Sequence, residues 1–363
     1  MGVFHNFFKY TDQLDQVPPH PTIPYSNFDA YTQTDLTRTT VSYDATRRFI
    51  GSALTFGGVF EREDTQDSVG GGFGSGVTPQ RRDHRSVFSE LNGSVGAVSF
   101  LAGGRFEWYE GLGWSAVPRA SVRLQVVPDH FALRAAVGRG FKAPNIQQQF
   151  IANAFIVPNP DLRPETSWSG EVGGQYTASN GLQLSATYFR QRFYDLIRVV
   201  PATAPETRLI SKNIGRTDAN GVELEASGTL PHGIVATGNV SWIHTSIVDN
   251  SGLAPAQFPV DSALPGRPVW VGGGTLDVPY RRLHGIVRAT VVGRNIVLSE
   301  IFSGTRRTLD PYTLVNFGAD YKINDRWQVY GRVENIFDTE YQEVFSFLSP
   351  GRGVYAGLRA TLQ

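Results

Sequence analysis

Cysteine is absent from the 363 residues, which excludes a disulfide framework, a thiolate metal site and a cysteine nucleophile. Net charge is absent as well, since 33 basic side chains face 33 acidic ones. A nucleic-acid surface needs a basic excess to exchange for counterions, so nucleic acid is not expected as a partner. No apolar run reaches the ~18 residues of a membrane-crossing helix. The first ten residues, MGVFHNFFKY, lack both a basic start and a small-residue cleavage site, so no signal peptide is expected. Helical periodicity is scarce throughout.

What is present is alternation, which marks β-strands with two unlike faces. Val222, Leu224, Ala226, Gly228 and Leu230 share one face, with Glu223, Glu225, Ser227 and Thr229 on the other. Phe317, Ala319, Tyr321 and Ile323 oppose Asn316, Gly318, Asp320 and Lys322, and Trp327, Val329, Gly331 and Val333 oppose Gln328, Tyr330, Arg332 and Glu334. Ala120, Val122, Leu124 and Val126 oppose Arg119, Ser121, Arg123 and Gln125. Short turn signals stand near Asp44, Asn92, Pro128, Asn180, Pro231, Pro279 and Asn324. Longer connections fall between them, at Glu63 to Asp83, Ala143 to Thr166, Val248 to Gly266, Val297 to Pro311 and Asp338 to Arg352. Short and long connections in alternation make an up-and-down antiparallel sheet of about fifteen strands, or about sixteen if Gly2 to Tyr10 is one. Strands of about 10 to 12 residues, tilted by ~45°, match the ~25 Å apolar band of an outer-membrane barrel.

The expected fold is therefore all-β, a transmembrane barrel with its apolar face toward lipid. Trp108, Trp168, Tyr176, Trp242, Trp270 and Trp327 sit near strand ends in the apolar phase, where amphipathic rings suit the headgroup level. Tyr355 shares the position but not the phase. Arg119, Arg123, Arg134, Glu171, Glu223, Glu225, Arg332, Glu334 and Arg359 occupy the other face. In a dry core each would cost several kcal/mol unless paired; a wet lumen removes that cost.

Three stretches carry a resemblance. GRGFKAPN (Gly138 to Asn145) is followed by NPDLRPETSWSGEVG (Asn159 to Gly173); NIGRTDANGVELEASG covers Asn213 to Gly228; VENIFDTEY (Val333 to Tyr341) precedes SPGRGVYAGLRATL (Ser349 to Leu362). From about Phe49 to the end the chain resembles the C-terminal part of the barrel of TonB-dependent outer-membrane receptors. The matching positions are Phe141, Lys142, Ala143, Pro144 and Asn145; Asn159, Pro160, Asp161, Leu162, Pro164 and Glu165; Gly221 and Glu223; Asn335, Phe337, Asp338 and Tyr341; and Pro350, Gly351 and Arg352. The resemblance implies architecture at these positions, not ligand contact. By their residue types, Pro144, Pro160 and Pro164 end strands, Asn220-Gly221 supplies a bend before a strand, and Asn335 to Tyr341 leaves a strand for a loop. The family's barrel has about 22 strands and holds a plug. Residues 1–363 thus read as one partial barrel domain without plug or signal peptide, and Met1 as an internal start or a truncated reading frame. The last residue, Gln363, stops one position short of the outward aromatic that usually ends such barrels.

No catalytic, metal or cofactor site is expected. GGGFGSG (Gly70 to Gly76) lacks the Lys-Ser/Thr and the strand-to-helix setting of a phosphate loop, so it reads as a flexible external loop. The seven histidines are scattered and read as turn and loop polarity. Asp83-His84 and Asp129-His130 lack a nucleophile elbow. Arg306, Arg307, Tyr312, Tyr341 and Phe345 are the candidate ligand contacts, for an anionic or aromatic chelate. The resemblance implies a receptor for energised, TonB-coupled uptake of a ferric siderophore or cobalamin, with the lipid bilayer, TonB and a small chelate as partners. Its place would be the outer membrane, C-terminus periplasmic. A passive pore is the alternative, an outer-membrane hydrolase a third reading. An incomplete sheet leaves edges unpaired in hydrocarbon, so a gap or strained seam is expected, with the open edge at Phe4 to Tyr43.

Overall fold

The computed structural model describes residues 2–14, 30–71, 76–150, 152, 156–206, 208–252, 255–299 and 305–361. The first half runs β1 (Gly2–Leu14), β2 (Ala30–Phe49), β3 (Ser52–Gly71), β4 (Gly76–Val95), β5 (Val98–Tyr109), β6 (Gly113–Val127), β7 (Phe131–Lys142), helix α1 (Ile146–Phe150), β8 (Ile156–Val157) and β9 (Glu165–Thr177). The second runs β10 (Gln183–Pro201), β11 (Leu209–Thr229), β12 (Val235–Asp249), β13 (Trp270–Tyr280), β14 (Leu283–Val292), β15 (Asn295–Leu298), β16 (Arg306–Leu309), β17 (Tyr312–Lys322), β18 (Trp327–Glu334) and β19 (Gly353–Ala360). Seventeen strands share one sheet. The two-residue β8 runs parallel to the start of β11, β15 and β16 form a separate hairpin, and the remaining sixteen are sequential antiparallel neighbours.

Which face is concave follows from what lies across it. Helix α1 touches both β4 and β11, far apart in the meander, so it crosses the inside. Gln147 Nε2 donates to Thr34 Oγ1 and Asp67 Oδ1, and Arg82 Nη1 donates to the Pro144 carbonyl; these three wall residues therefore face the lumen. On the far wall Leu264 N donates to Thr245 Oγ1, so Thr245 faces inward too. Carrying these phases through the registers puts Glu223, Glu225, Arg119, Arg123, Arg134, Glu171, Arg332, Glu334 and Arg359 inside. Val222, Leu224, Val122, Phe317, Val329 and Leu358 point outward and are exposed. Trp108, Trp168, Tyr176, Trp242, Trp270 and Trp327 share that outward face, and Tyr355 looks inward.

Several local expectations move. The first two short turns lie at Ile50–Gly51 and Gly96–Ala97, beyond Asp44 and Asn92, because alternation continues through both dipeptides. Glu63 to Asp83 is not a connection: β3 and β4 stay paired out to Val69 and Gly76. Only residues 72–75 of the glycine cluster lie outside the described residues, and Gly70, Gly71 and Gly76 belong to strands. Gly221 lies inside β11, not at a bend. The histidines are not all loop polarity. His84 is a buried strand residue, 2.5 Å from Glu107 Oε2 and stacked 4.1 Å from Tyr109. His284 bridges Asp277 and Asp320 at 2.9 and 3.0 Å. Asp83 points away from His84, out of the barrel, and is held by Arg62 at 2.8 and 3.0 Å.

Among the described residues no register joins β19 to β1. At the N-terminal side the open edge is that of β1 and not of β2, which is covered by β1 on one side and β3 on the other, so it does not extend to Tyr43; β19 is the edge at the other end.

Candidate functional site

Long strands rise past the aromatic level and their connections fold back into the mouth. Val200, Ile214, Ile247, Phe258 and Leu264 form a small dry core there, with Leu196, Ile210 and Leu298 against it. Burying such side chains is worth about 1.5–3 kcal/mol each, enough to hold the β12–β13 connection down over the lumen. Backbone bonds fix it further: Ile247 N to Ser262 O at 2.9 Å and Asp261 N to Ile247 O at 2.8 Å.

Beneath this roof is a pocket of about 380 Å³. Phe189, Phe193, Glu171 and Glu223 supply its wall from β9, β10 and β11, while Leu264 and Arg267 come from the roof. Arg198 also reaches it, because the chain kinks at Asp195 (φ 56°) and Leu196 and Arg198 then face inward with the roof core. Burial pushes the Arg198 guanidinium below its ordinary value; Glu165 opposes that shift and Arg267 adds to it. Among the described residues neither Arg198 nor Arg267 takes part in an ion pair. Arg198 Nη1 and Arg267 Nη1 each donate to the preceding residue's carbonyl, at 3.3 and 3.0 Å. The pocket thus offers apolar ring faces and two cations outside any ion pair, with Glu171 and Glu223 also on its lining, to a guest with an aromatic or apolar body and anionic groups. A larger hollow of about 980 Å³ opens toward the short turns, with Arg48, Arg123, Arg134 and Glu171 on its lining. Among the described residues no cluster of three or more His, Asp or Glu is arranged to hold a metal ion.

The motif residues build the supports of this region. Lys142 Nζ and the Ile197 amide share Glu165, at 3.1 and 2.7 Å. Asn145 caps α1, its Oδ1 accepting from Gln148 N at 2.7 Å. Asn159 Nδ2 donates to the Ser211 carbonyl at 2.8 Å and its Oδ1 accepts from Asp161 N, while Leu162 is buried. Asn335 closes a local ring with Thr339, 2.9 Å in each direction, and Asp338 Oδ1 accepts from Arg352 N at 2.7 Å. A side chain at Gly221 would strike the Trp242 carbonyl and the Phe189 ring, and one at Gly351 would reach Asp338 at 2.8 Å. Phe141 lies 5.6 Å from Tyr109, and Phe337 and Pro350 are exposed.

The five candidate contacts fall in three places. Arg306 donates to the Gln257 and Ala263 carbonyls at 2.9 and 2.7 Å, clamping the β15–β16 hairpin to the roof; burial lowers its pKa. Arg307, next on the same strand, is exposed. Tyr312 and Tyr341 meet with ring centroids 4.6 Å apart, and Phe345 sits in the small turn bridged by Val344 and Phe347. None of the five is among the described residues lining the 380 Å³ pocket. Sequence reasoning missed Arg198, Arg267 and the Phe189–Phe193 wall; the one available signal was the apolar pair Phe258 and Leu264 inside a long connection.

A sequence profile described as "TonB dependent receptor-like, beta-barrel" matches residues 3–336. "Vitamin B12 transporter BtuB" of Vibrio vulnificus (strain YJ016) is 26% identical over 318 residues, 84% of this chain and 47% of that protein. "Iron-regulated outer membrane virulence protein" of Vibrio cholerae serotype O1 (strain ATCC 39541 / Classical Ogawa 395 / O395) is 24% identical over 248 residues, covering 63% and 37%. The solved siderophore receptor PirA from Acinetobacter baumannii superposes with a TM-score of 0.76 at 18% identity, over 99% of this chain and 59% of its own. The copper transporter OprC gives 0.78 at 15%, covering 99% and 61%. The chain thus spans about half the length of the curated relatives it matches.

Proposed function

The chain belongs to the TonB-dependent receptor-like β-barrel family, and from that premise we propose that it forms wall and mouth of an outer-membrane receptor for energised uptake of a bulky, scarce nutrient. The guest is an anionic chelate such as a ferric siderophore, with cobalamin the other candidate; TonB supplies the energy through parts of the receptor beyond these residues. The short turns and the end of β19 lie on one side, which is the periplasmic side in this reading. No step of bond chemistry is required: transport needs only different affinities in two states of the receptor.

The observation that carries the reading is the roofed lumenal pocket, with Arg198 and Arg267 outside any ion pair beside Phe189 and Phe193. A cation pair of this kind favours carboxylate or catecholate oxygens on a metal chelate, and the ring faces favour its organic body. The relatives described as a vitamin B12 transporter and a siderophore receptor accord with a guest of that bulk.

Calorimetry on the purified receptor tests it. A ferric tris-catecholate should bind, and Arg198→Gln with Arg267→Gln should weaken it by about tenfold or more, near 1.4 kcal/mol. Cyanocobalamin, with less anionic surface, should lose less. Equal binding by parent and double variant would remove the pocket from the account. Cells producing only residues 1–363 should not accumulate ligand; energised uptake by them would contradict the proposal.

A further inference from the structure

The outward face carries a feature that uptake does not use. From the short turns upward, the outward positions of β13, β14, β17, β18 and β19 hold no charged residue among those described, and β12 carries one, Asp249, at its upper end. On β10 and β11 the pattern changes. Above the apolar Leu184, Tyr188, Val222 and Leu224, the outward positions become Arg190, Arg192, Arg216 and Asp218. Arg190 Nη2, Arg192 Nε and Arg216 Nε lie 3.6, 3.1 and 3.8 Å from the Asp218 carboxylate. With the Asp249 carboxylate across from Arg216 counted as well, three guanidiniums face two carboxylates and leave one positive charge uncompensated. Asp249, across the ladder from Arg216, spends an oxygen on Ser251 N at 2.7 Å. The Arg216 Nε is buried without a hydrogen-bond partner.

The height of the cluster identifies what it meets. Arg192 stands directly across from Trp168, which in turn faces Arg139 on β7. Trp168 belongs to the aromatic level, where hydrocarbon ends and headgroups begin. A second outward group, on β3 and β4, sits at a similar level, and each of its guanidiniums has a partner: Arg62 pairs with Asp83 and Arg81 with Asp64, while Arg85 rests on the Phe60 and Trp108 rings, 5.8 and 5.1 Å away. Among the described residues, the β10–β11 cluster joins a net positive charge to an arginine Nε without an acceptor and to apolar surface directly below it.

We propose that Arg190, Arg192 and Arg216 form a docking site for a phosphate-bearing lipid of the outer leaflet. The planar forks take phosphate oxygens in paired bonds; Asp218 holds the forks apart and in place, and Tyr188, Val222 and Leu224 lie along the acyl chains. The site goes beyond the transport reading, since it faces the bilayer and has no access to the lumen.

Native mass spectrometry of the purified receptor, with these residues inside its complete barrel, in dodecyl maltoside tests the site with three probes: a bisphosphorylated glucosamine-disaccharide lipid (lipid A), its fully dephosphorylated form, and inorganic pyrophosphate. The parent should retain lipid A about tenfold more strongly than the dephosphorylated lipid. R190Q/R192Q/R216Q should lose that preference, and R62Q/R81Q should keep it. Equal retention of the two lipids, or a triple variant indistinguishable from the parent, would overturn the proposal. Pyrophosphate binding as tightly as lipid A would overturn the lipid as occupant. If heat-dependent gel mobility shows the triple variant unfolded, R190E serves instead, because that side chain is the most exposed of the three. It should weaken lipid A retention several-fold, and unchanged retention would count against the site.

Discussion

Three glycines on the lumenal face each lie directly across a ladder from an aromatic ring: Gly57 from Phe88, Gly221 from Phe189 and Gly357 from Tyr330. A Cβ at Gly57 or Gly221 would come within 2.6 or 2.7 Å of the ring facing it, and one at Gly357 within 2.5 Å. The ring covers the backbone that the missing side chain exposes, and a glycine in a strand otherwise weakens it. Gly221→Ala should therefore destabilise the barrel by about 1–3 kcal/mol through overpacking. Phe189→Leu in the same chain should restore only the part of that loss due to the ring, since the Trp242 backbone carbonyl still crowds the new Cβ. Urea midpoints of the two single variants and the double variant measure it; purely additive losses would show that the pair does not act as a unit. The glycine was legible in the sequence as a motif position, but its reason was not, because the ring that needs it lies 32 residues away in the chain and only the β10–β11 register brings them together. Asn335 and Asp338, whose partners Thr339 and Arg352 are near in sequence, were readable for the opposite reason.

At the scale of single strands, the period of two fixes nearly everything. One register slip would exchange every lipid-facing residue with a lumenal one, so the alternation Val222-Glu223-Leu224-Glu225 names both faces of β11 before any coordinates. Leu224 stands five positions above the end of β11, well inside the apolar band. Leu224→Arg should cost about 2–4 kcal/mol in bilayer, the value for an arginine near the midplane on a lipid face. Glu225→Arg, one residue on, should cost far less, because its side chain stays in water. Folding into phosphatidylcholine vesicles, followed by tryptophan fluorescence, separates the two. Similar losses for both would mean that the faces are assigned wrongly. Strand ends were harder to read. Where strands rise beyond the membrane they keep pairing without needing apolar residues, so the polar Glu63 to Asp83 stretch looks like a connection although most of it lies in β3 and β4. The pocket escaped for a related reason: Glu171, Arg198 and Arg267 come from three separate segments, and no local pattern marks residues that meet only after a connection folds inward.

For the molecule as a whole, both the approximate strand count and the missing closure were legible, because too few strands for the resembled barrel leave edges that cannot meet. About fifteen strands follow from turns and alternation, each a local signal, and the strand at Gly2–Leu14 makes the sixteenth of the meander. Among the described residues β1 pairs only with β2 and β19 only with β18, so two long edges present backbone N–H and C=O groups with no ladder partner. In hydrocarbon each such group costs several kcal/mol, and the edge of a thirteen-residue strand carries enough of them to exceed the ~5–15 kcal/mol by which a domain is normally stable. A wall of this kind persists in a membrane only if further strands cover both edges, as longer relatives have length to do. Residues 1–363 placed alone in a planar bilayer should therefore give irregular, drifting currents or none, and no heat-resistant band on gels. Steady unitary conductance together with such a band would mean that β1 and β19 do find each other, and would turn the reading from one arc of a receptor toward a self-sufficient pore.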